Sequence, residues 1–89
     1  MKPEFKKSTK KDKKYMVKTP SGRWIHFGAR GMEQFKDSTG LGLYSKFDHG
    51  DKERQRRYLA RAKGIKNKKG ELTYKDPESP NYYSVKYLW

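Results

Sequence analysis

The sequence is organised around one basic stretch, DHGDKERQRRYLARAKGIKNKK, at residues 48–69. Its start is typical of a helix, because the carboxylate of Asp48 or Asp51 can accept hydrogen bonds from the free N–H groups of a first turn. Its end is also typical: Lys63 places a cation in the last turn, and Gly64 suits the left-handed residue that stops many helices. The stretch therefore predicts a helix with both ends marked.

Two faces of this helix differ in chemistry. The apolar side chains follow helical spacing and form a narrow stripe, which consists of Tyr58, Leu59, Ala62 and Ile65. The arginines gather on the neighbouring faces, at Arg54, Arg56, Arg57 and Arg61. Residues 51–70 contain nine Lys or Arg against two acids, which gives a local charge of +7. We therefore expect a helix over about residues 51–64 that packs through its apolar stripe and presents its arginines to an anion.

Composition limits the chain to one small domain and favours a negatively charged partner. The chain has 89 residues, a net charge of +13 and a pI of about 10.0. Such a charge opposes compaction and favours binding to nucleic acid or to an acidic membrane surface. No apolar run approaches the roughly 20 residues of a membrane span, so we expect no membrane partner. Without cysteine there is no disulfide or thiolate metal site, and an intracellular setting, cytosolic or nuclear, fits best.

The first residues are rich in lysine and poor in apolar side chains. Residues 1–14 carry seven lysines against two acids, with Phe5 as the one sizeable apolar group. Such a segment buries too little to offset the entropy cost of ordering it. Residues 1–13 are therefore predicted to be a flexible basic arm, and residues 14–89 a single domain. The lysines expected to lie on phosphates are Lys10, Lys11, Lys13 and Lys14. A solubilising or targeting tail is the alternative.

Residues 14–28 predict a β-hairpin around Pro20-Ser21-Gly22. A proline at the second turn position and a glycine at the fourth suit a type I turn, which closes a three-residue loop with a bulge. The facing pairs in this register are Thr19 with Arg23, Val17 with Ile25, and Tyr15 with Phe27. One face of the hairpin is apolar and is expected to be core: Tyr15, Val17, Ile25 and Phe27. The other face is either a second packing surface or a ligand contact, and it carries Met16, Lys18, Trp24 and His26.

The remainder divides into two irregular connections and a last helix. Residues 28–50 contain scattered glycines and apolar side chains, with one helical turn expected near residues 32–36. Residues 66–79 form the second connection. Because Ser79-Pro80 suits a helix start, residues 80–89 predict a short helix. It should dock on the hairpin's apolar face or on a partner chain, through Tyr82, Val85, Leu88 and Trp89. Together these elements predict a small α+β domain.

No arrangement of residues points to catalysis. His26 and His49 have no second histidine or cysteine at ligand spacing, so no metal site is predicted. His49 lies near Asp48 and Asp51, but a helix cap accounts for both aspartates. No motif marks a nucleophile or a nucleotide loop. The chain is therefore predicted not to be an enzyme and to need no cofactor.

Three parts of the sequence together carry a family resemblance: the hairpin with Pro20-Ser21-Gly22 and Phe27-Gly28, the block at residues 51–61, and the ending Ser84-Val85-Lys86-Tyr87-Leu88-Trp89. In this combination, residues 14–89 resemble a family of very small basic proteins of large and giant DNA viruses, including the mini-ubiquitous proteins of marseillevirus relatives. The resemblance implies a non-enzymatic protein that associates with the packaged or replicating genome. Its expected location is the virion, the host nucleus or a cytoplasmic viral factory.

The sequence leaves three functional hypotheses open. The first is a DNA-binding protein with little sequence preference, which would contact phosphates through Arg54, Arg56, Arg57, Arg61, Lys63, Lys66, Lys68 and Lys69 together with the early lysines. The second is an RNA-binding module, in which Trp24, Tyr15 or His26 stacks on bases. The third is a structural protein whose last helix forms a homodimer or binds a viral or host chromatin protein.

Overall fold

A three-stranded antiparallel sheet and two α-helices make up the part of the chain that the structure describes, residues 4–89. The structure is a computed structural model. The strands are β1 (Phe5–Lys7), β2 (Lys13–Lys18) and β3 (Trp24–Ala29), the helices are α1 (Lys52–Ala62) and α2 (Pro80–Tyr87), and 3₁₀ turns lie at Ser45–Phe47 and Thr73–Lys75. The strand order is β1-β2-β3, so β3 is an edge strand. The predicted α+β class is confirmed.

The hairpin of β2 and β3 has the predicted register. The three expected pairs are present: Thr19 with Arg23, Val17 with Ile25, and Tyr15 with Phe27. Gly22 closes the loop, because its N–H donates to the Thr19 carbonyl at 2.9 Å. The φ angle of Gly22 is +89°, a left-handed conformation that glycine adopts without steric cost. The sequence of the loop therefore determines how the two strands face each other.

The strand β1 corrects the expectation of a flexible arm over residues 1–13. Residues 5–7 pair with β2, and Phe5 is only 9% exposed. The Phe5 ring meets the rings of Phe27 and Tyr87 edge-on, with centroids 5.9 and 4.7 Å apart. These contacts and the hydrogen bonds of the ladder offset the ordering entropy that argued for flexibility. The expectation is wrong for this strand, and residues 1–3 lie outside the described part of the chain.

The helix α2 covers the apolar face of the sheet. Ser79 caps its first turn, as the sequence predicts. Tyr83 and Leu88 are buried against the sheet, and the Tyr83 ring lies 5.9 Å from the Phe27 ring, centroid to centroid. The prediction that this helix docks on the hairpin's apolar face is confirmed.

The buried side of α2 differs from the predicted stripe. Of the four residues expected to dock, Leu88 is buried, whereas the half-buried ones are Tyr82, Val85 and Trp89. The residues buried at this end of the chain are Tyr83, Ser84 and Leu88. An eight-residue helix makes little more than two turns, so its apolar spacing does not determine which of several neighbouring tyrosines faces the sheet.

The helix α1 starts as predicted and ends differently. The Asp51 side chain accepts hydrogen bonds from the N–H groups of Glu53 and Arg54, at 2.9 and 3.3 Å. The left-handed stop predicted at Gly64 is wrong, because this residue does not have a positive φ angle. Lys63 caps the helix in a right-handed conformation. The apolar stripe is buried or half-buried at Tyr58, Leu59 and Ala62 and exposed at Ile65.

The connection between β3 and α1 is organised around Asp48, which does not cap α1. Its carboxylate accepts hydrogen bonds from the Gln34 Nε2 atom at 2.6 Å and from the Asp37 N–H at 2.9 Å. Gln34 and Asp48 also form an isolated β-bridge. The helical turn predicted near residues 32–36 is therefore wrong, because Gln34 is extended and its amide is drawn inward.

Candidate nucleic-acid interface

A cleft of about 1060 Å³ separates the outer edge of β3 from α1. The helix α2 packs against both β3 and α1 and therefore joins the two walls. All six residues of β3, Trp24–Ala29, line one wall. The wall opposite is formed by Arg54, Arg57, Tyr58, Arg61 and Ile65. Such a volume lies at the upper end of the range for small-molecule pockets, so an elongated ligand fits this space.

Cations line both walls of the cleft. Lys10 and Lys13 lie on the side of the sheet, and three arginines of α1 lie on the other side: Arg54, Arg57 and Arg61. The predicted spacing of these arginines is thus the spacing that turns them toward one space. Glu33 is the single carboxylate among the lining residues, and it accepts a hydrogen bond from Arg54 Nη1 at 2.9 Å. The Arg54 guanidinium lowers the pKa of the Glu33 carboxyl, which stays ionised.

The other predicted phosphate contacts lie outside the cleft. Arg56 turns away from the cleft and pairs with Glu53 at 2.5 Å, and Arg57 lies 3.7 Å from the same carboxylate. These are exposed pairs, which contribute only about 0–1 kcal/mol each, so phosphate can compete for the arginines. The exposed cations that line no part of the cleft are Lys11, Lys63, Lys66, Lys68 and Lys69.

Lys14 is not available to a phosphate, which corrects the sequence prediction. It is only 1% exposed, and its ammonium donates to the Gln34 Oε1 atom and to the Met32 carbonyl. Burial lowers the pKa of Lys14, while the charges of Asp37 and Asp48 oppose that shift. Lys14 therefore ties the connection to the sheet, whereas the neighbouring Lys13 lines the cleft.

The second face of the hairpin is not covered by either helix, which leaves Trp24 accessible. Trp24 is 38% exposed, and the Lys6 ammonium lies 5.1 Å from its ring centroid. The interpretation of this face as a second packing surface is therefore wrong at Trp24 among residues 4–89. Tyr15 is 0% exposed, so the expectation that it stacks on a base is also wrong. Trp24 and His26 both line the cleft.

His26 is a neutral group at the rim of the cleft. Its Nδ1 atom lies 2.7 Å from the Ser8 hydroxyl, in a hydrogen bond whose direction depends on the tautomer. Burial lowers the pKa of His26, and the nearby Lys10 ammonium lowers it further. The side chain is therefore uncharged at neutral pH and can offer a planar ring.

Sequence reasoning missed the residues that join the two walls. The rings of Tyr58 and Trp89 are stacked, and Gln55 Nε2 donates to the Trp89 carbonyl at 2.7 Å. Asn81 Nδ2 donates to the Ala62 carbonyl at 2.8 Å. An apolar stripe on α1 signals that the helix packs, but no local pattern identifies a partner so distant in the chain.

Within residues 4–89, no helix is both long enough and apolar enough to cross a bilayer. The same residues contain no group of three or more His, Cys, Asp or Glu side chains placed to hold a metal ion. The predictions of no enzymatic activity and no cofactor remain predictions.

Comparison with known proteins gives one match. Residues 4–39 match a family described as "Family of unknown function (DUF5754)". The matched segment contains β1, β2 and β3, and with them Lys10, Lys13 and Trp24, but it ends before the arginines of α1. No curated protein and no solved structure matches the chain.

Proposed function

We propose that this chain is a non-enzymatic DNA-binding protein that contacts the phosphate backbone with little sequence preference. In line with the resemblance to small basic proteins of giant viruses, it would associate with a viral genome or help to package it. The observation that carries the proposal is the cleft, in which Lys10, Lys13 and three arginines of α1 face a single carboxylate. Lysines that follow α1 extend the positive surface beyond it.

Phosphate is the anion that suits this arrangement. An arginine guanidinium can donate two parallel hydrogen bonds to a phosphate, while a lysine ammonium acts as a compact point charge. Nucleic acid presents phosphates in a row, and cations on two walls can follow such a row. A net charge of +13 on 89 residues supplies the long-range attraction that speeds association.

Low sequence preference follows from how the amide side chains are used. Adenine is commonly read by an Asn or Gln amide that donates and accepts two hydrogen bonds. Near the cleft, however, the Gln55 amide donates to the Trp89 carbonyl, and the Asn81 amide donates to Ala62 and Thr73. These amides already have partners inside the protein, which supports contacts to the backbone over contacts to base edges.

An RNA-binding module is the second candidate, and the exposure of Trp24 favours it. The third hypothesis, in which α2 binds a partner protein or forms a homodimer, has less support because Tyr83 and Leu88 are buried in the chain's own core.

The test is a salt titration of DNA binding, with the DNA presented both as a short duplex and as one of its separated strands. If six to ten phosphates are neutralised, affinity should fall by about 10³–10⁵ between 50 and 200 mM salt. Replacing Arg54, Arg57 and Arg61 with Ala should make the slope of log affinity against log salt shallower. The change should be up to about 0.9 for each duplex phosphate that the variant no longer neutralises.

Arg56→Ala is the matched control, because this arginine belongs to the same helix but does not line the cleft. It should change the slope less than any one of the cleft arginines does. An affinity that does not change with salt for either form of DNA would refute the proposal. A slope that the triple variant leaves intact would move the contacts to other parts of the surface.

A further inference from the structure

We infer that the cleft takes a single, unpaired strand of nucleic acid, which lies between the edge of β3 and α1 with Trp24 as a stacking platform. The inference rests on the proposed function and adds the strand state of the ligand. It follows from three features: the direction of the arginines, the free edge of β3, and the exposed indole ring.

The first feature is the position of the charges. Arg54, Arg57 and Arg61 line a space within a molecule whose overall extents are only 34 × 27 × 26 Å. A duplex has a major groove that alone is about 12 Å wide, so the whole duplex is too broad to enter this space and can only lie across its mouth. A single strand is narrow enough to enter, and its phosphates can then meet cations on both walls. Single-strand grooves combine such a charged track with aromatic rings.

The second feature is the free edge of β3. In an antiparallel pair, hydrogen-bonded and non-hydrogen-bonded residue pairs alternate. Because the Thr19 N–H donates to the Arg23 carbonyl, the next pair, which contains Trp24, is not hydrogen-bonded to β2. His26 is in the same position two residues later. The N–H and C=O groups of Trp24 and His26 therefore point away from β2, and no residue in the described part of the chain bonds to them.

These main-chain groups can donate to and accept from the edges of bases. In a duplex those edges are occupied by Watson–Crick pairing, whereas in a single strand they are available. The groups belong to every sequence's backbone, so they offer hydrogen bonds without requiring one particular base. The free edge thus favours an unpaired strand and remains consistent with low sequence preference.

The third feature is Trp24. Its indole is exposed, lines the cleft and is carried on a paired strand, so its position is fixed with little loss of entropy on binding. Stacking of a base on an aromatic side chain contributes about 1–3 kcal/mol, which corresponds to about 5- to 150-fold in affinity. Only an unpaired base can present its face to the ring.

An extended acidic peptide is the main rival, because it could pair with the same edge of β3 and meet the same cations. Such a peptide would take its affinity from the main-chain ladder and would not need the Trp24 ring. The ring and the charges on both walls favour the nucleic acid, and the experiment includes the peptide as a competitor.

The experiment compares, at one salt concentration, full-length protein binding to a thymidine homopolymer strand, a uridine homopolymer strand and a duplex of equal length. We expect the strands to bind more tightly than the duplex. Trp24→Ala should weaken strand binding by about 5- to 150-fold and duplex binding much less, whereas Trp24→Phe should retain most of the strand affinity. Equal binding of the two strands would mean that the ribose 2′-hydroxyl makes no contribution, and a difference would identify the preferred strand.

A second measurement does not depend on whether the variant folds. A strand without bases keeps the phosphates but cannot stack, so the wild-type protein should bind it more weakly than the intact strand. The inference fails, with the proposed function intact, if the duplex binds as tightly as the strand and neither Trp24→Ala nor removal of the bases discriminates between them. It also fails if a polyglutamate peptide displaces the strand with higher affinity than the strand itself. Binding that is absent or unaffected by salt for all of these ligands would refute both proposals.

Discussion

The ring of Tyr58 in α1 lies flat on the ring of Trp89, with centroids 4.1 Å apart and planes inclined by 9°. Gln55, one turn earlier in the helix, donates a hydrogen bond to the Trp89 main-chain carbonyl. These contacts hold α1 beside the end of α2, and therefore hold the arginines at their distance from β3. Trp89 thus acts as a positioning residue, although its side chain carries no charge.

This pairing predicts energetic coupling between the two rings. In a double-mutant cycle of Tyr58→Ala and Trp89→Ala, the coupling in the free energy of unfolding should be about 0.5–1.5 kcal/mol, as for other aromatic pairs. Trp89→Ala should also weaken DNA binding, because α1 loses its support. Chemical denaturation measures the first effect, and a binding titration measures the second. Additive effects of the two substitutions would show that the stacked rings do not stabilise each other.

The adjacent lysines of β2 should separate binding from stability. Lys14→Met leaves the buried Gln34 Oε1 atom without its donor, so we expect the free energy of unfolding to fall by about 1–3 kcal/mol. Lys13→Met removes a cation of the cleft, so it should make the salt slope of DNA binding shallower by about 0.9 or less. Each variant serves as the control for the other, in denaturation and in the salt titration. The assignment is wrong if both variants lose the same property.

Removing the one carboxylate among the cleft residues should strengthen DNA binding. Glu33→Gln releases Arg54 from its ion pair and removes a charge that repels phosphate. Exposed pairs contribute up to about 1 kcal/mol, so affinity should rise by no more than about fivefold. Glu53→Gln is the control, because Glu53 pairs with Arg56 and does not line the cleft. An unchanged affinity in Glu33→Gln alone would argue against phosphate near Arg54.

Stability at alkaline pH should depend on Tyr15. Burial, and next the hydrogen bond to Asp37, raise the pKa of Tyr15 to about 12 from an ordinary value of 10.0. As pH rises between these values, the unfolded chain ionises first, so the contribution of Tyr15 is present below pH 10.0 and is lost as pH approaches 12. Lys14 acts in the opposite direction, since burial lowers its pKa below 10.5 and favours the native state as pH rises.

Tyr15→Phe isolates the tyrosine, because Lys14 is present in both proteins. The variant should be less stable near neutral pH, where it lacks the hydrogen bond to Asp37, and its stability should decline less steeply between about pH 10 and 12. Thermal unfolding across that range measures both slopes. Parallel curves for the two proteins would mean that Tyr15 does not control the alkaline transition.

Local sequence determined most of the fold. Pro20-Ser21-Gly22 fixes the hairpin register, and Asp51 fixes where α1 begins. β1 could not be predicted, because a single phenylalanine among lysines carries no period, and the rings that bury Phe5 come from β3 and α2. The buried side of α2 depended on the same long-range packing.

The candidate site was predictable on one wall only. The spacing of Arg54, Arg57 and Arg61 placed them together on α1. Lys14 looks like any other lysine of its segment, and its partner Gln34 lies in an irregular connection with no pattern of its own. The free edge of β3 depends on the order of the strands, which no single stretch of the sequence contains.

The position of α2 has a consequence for synthesis of the chain. Every strand leaves the ribosome before the helix whose Tyr83 and Leu88 complete the core around Phe27. The apolar face of the sheet must therefore remain bare while the long basic middle of the nascent chain is made. Folding is completed only when the last element appears, so a translation product that stops short of α2 exposes aromatic surface and is prone to aggregate.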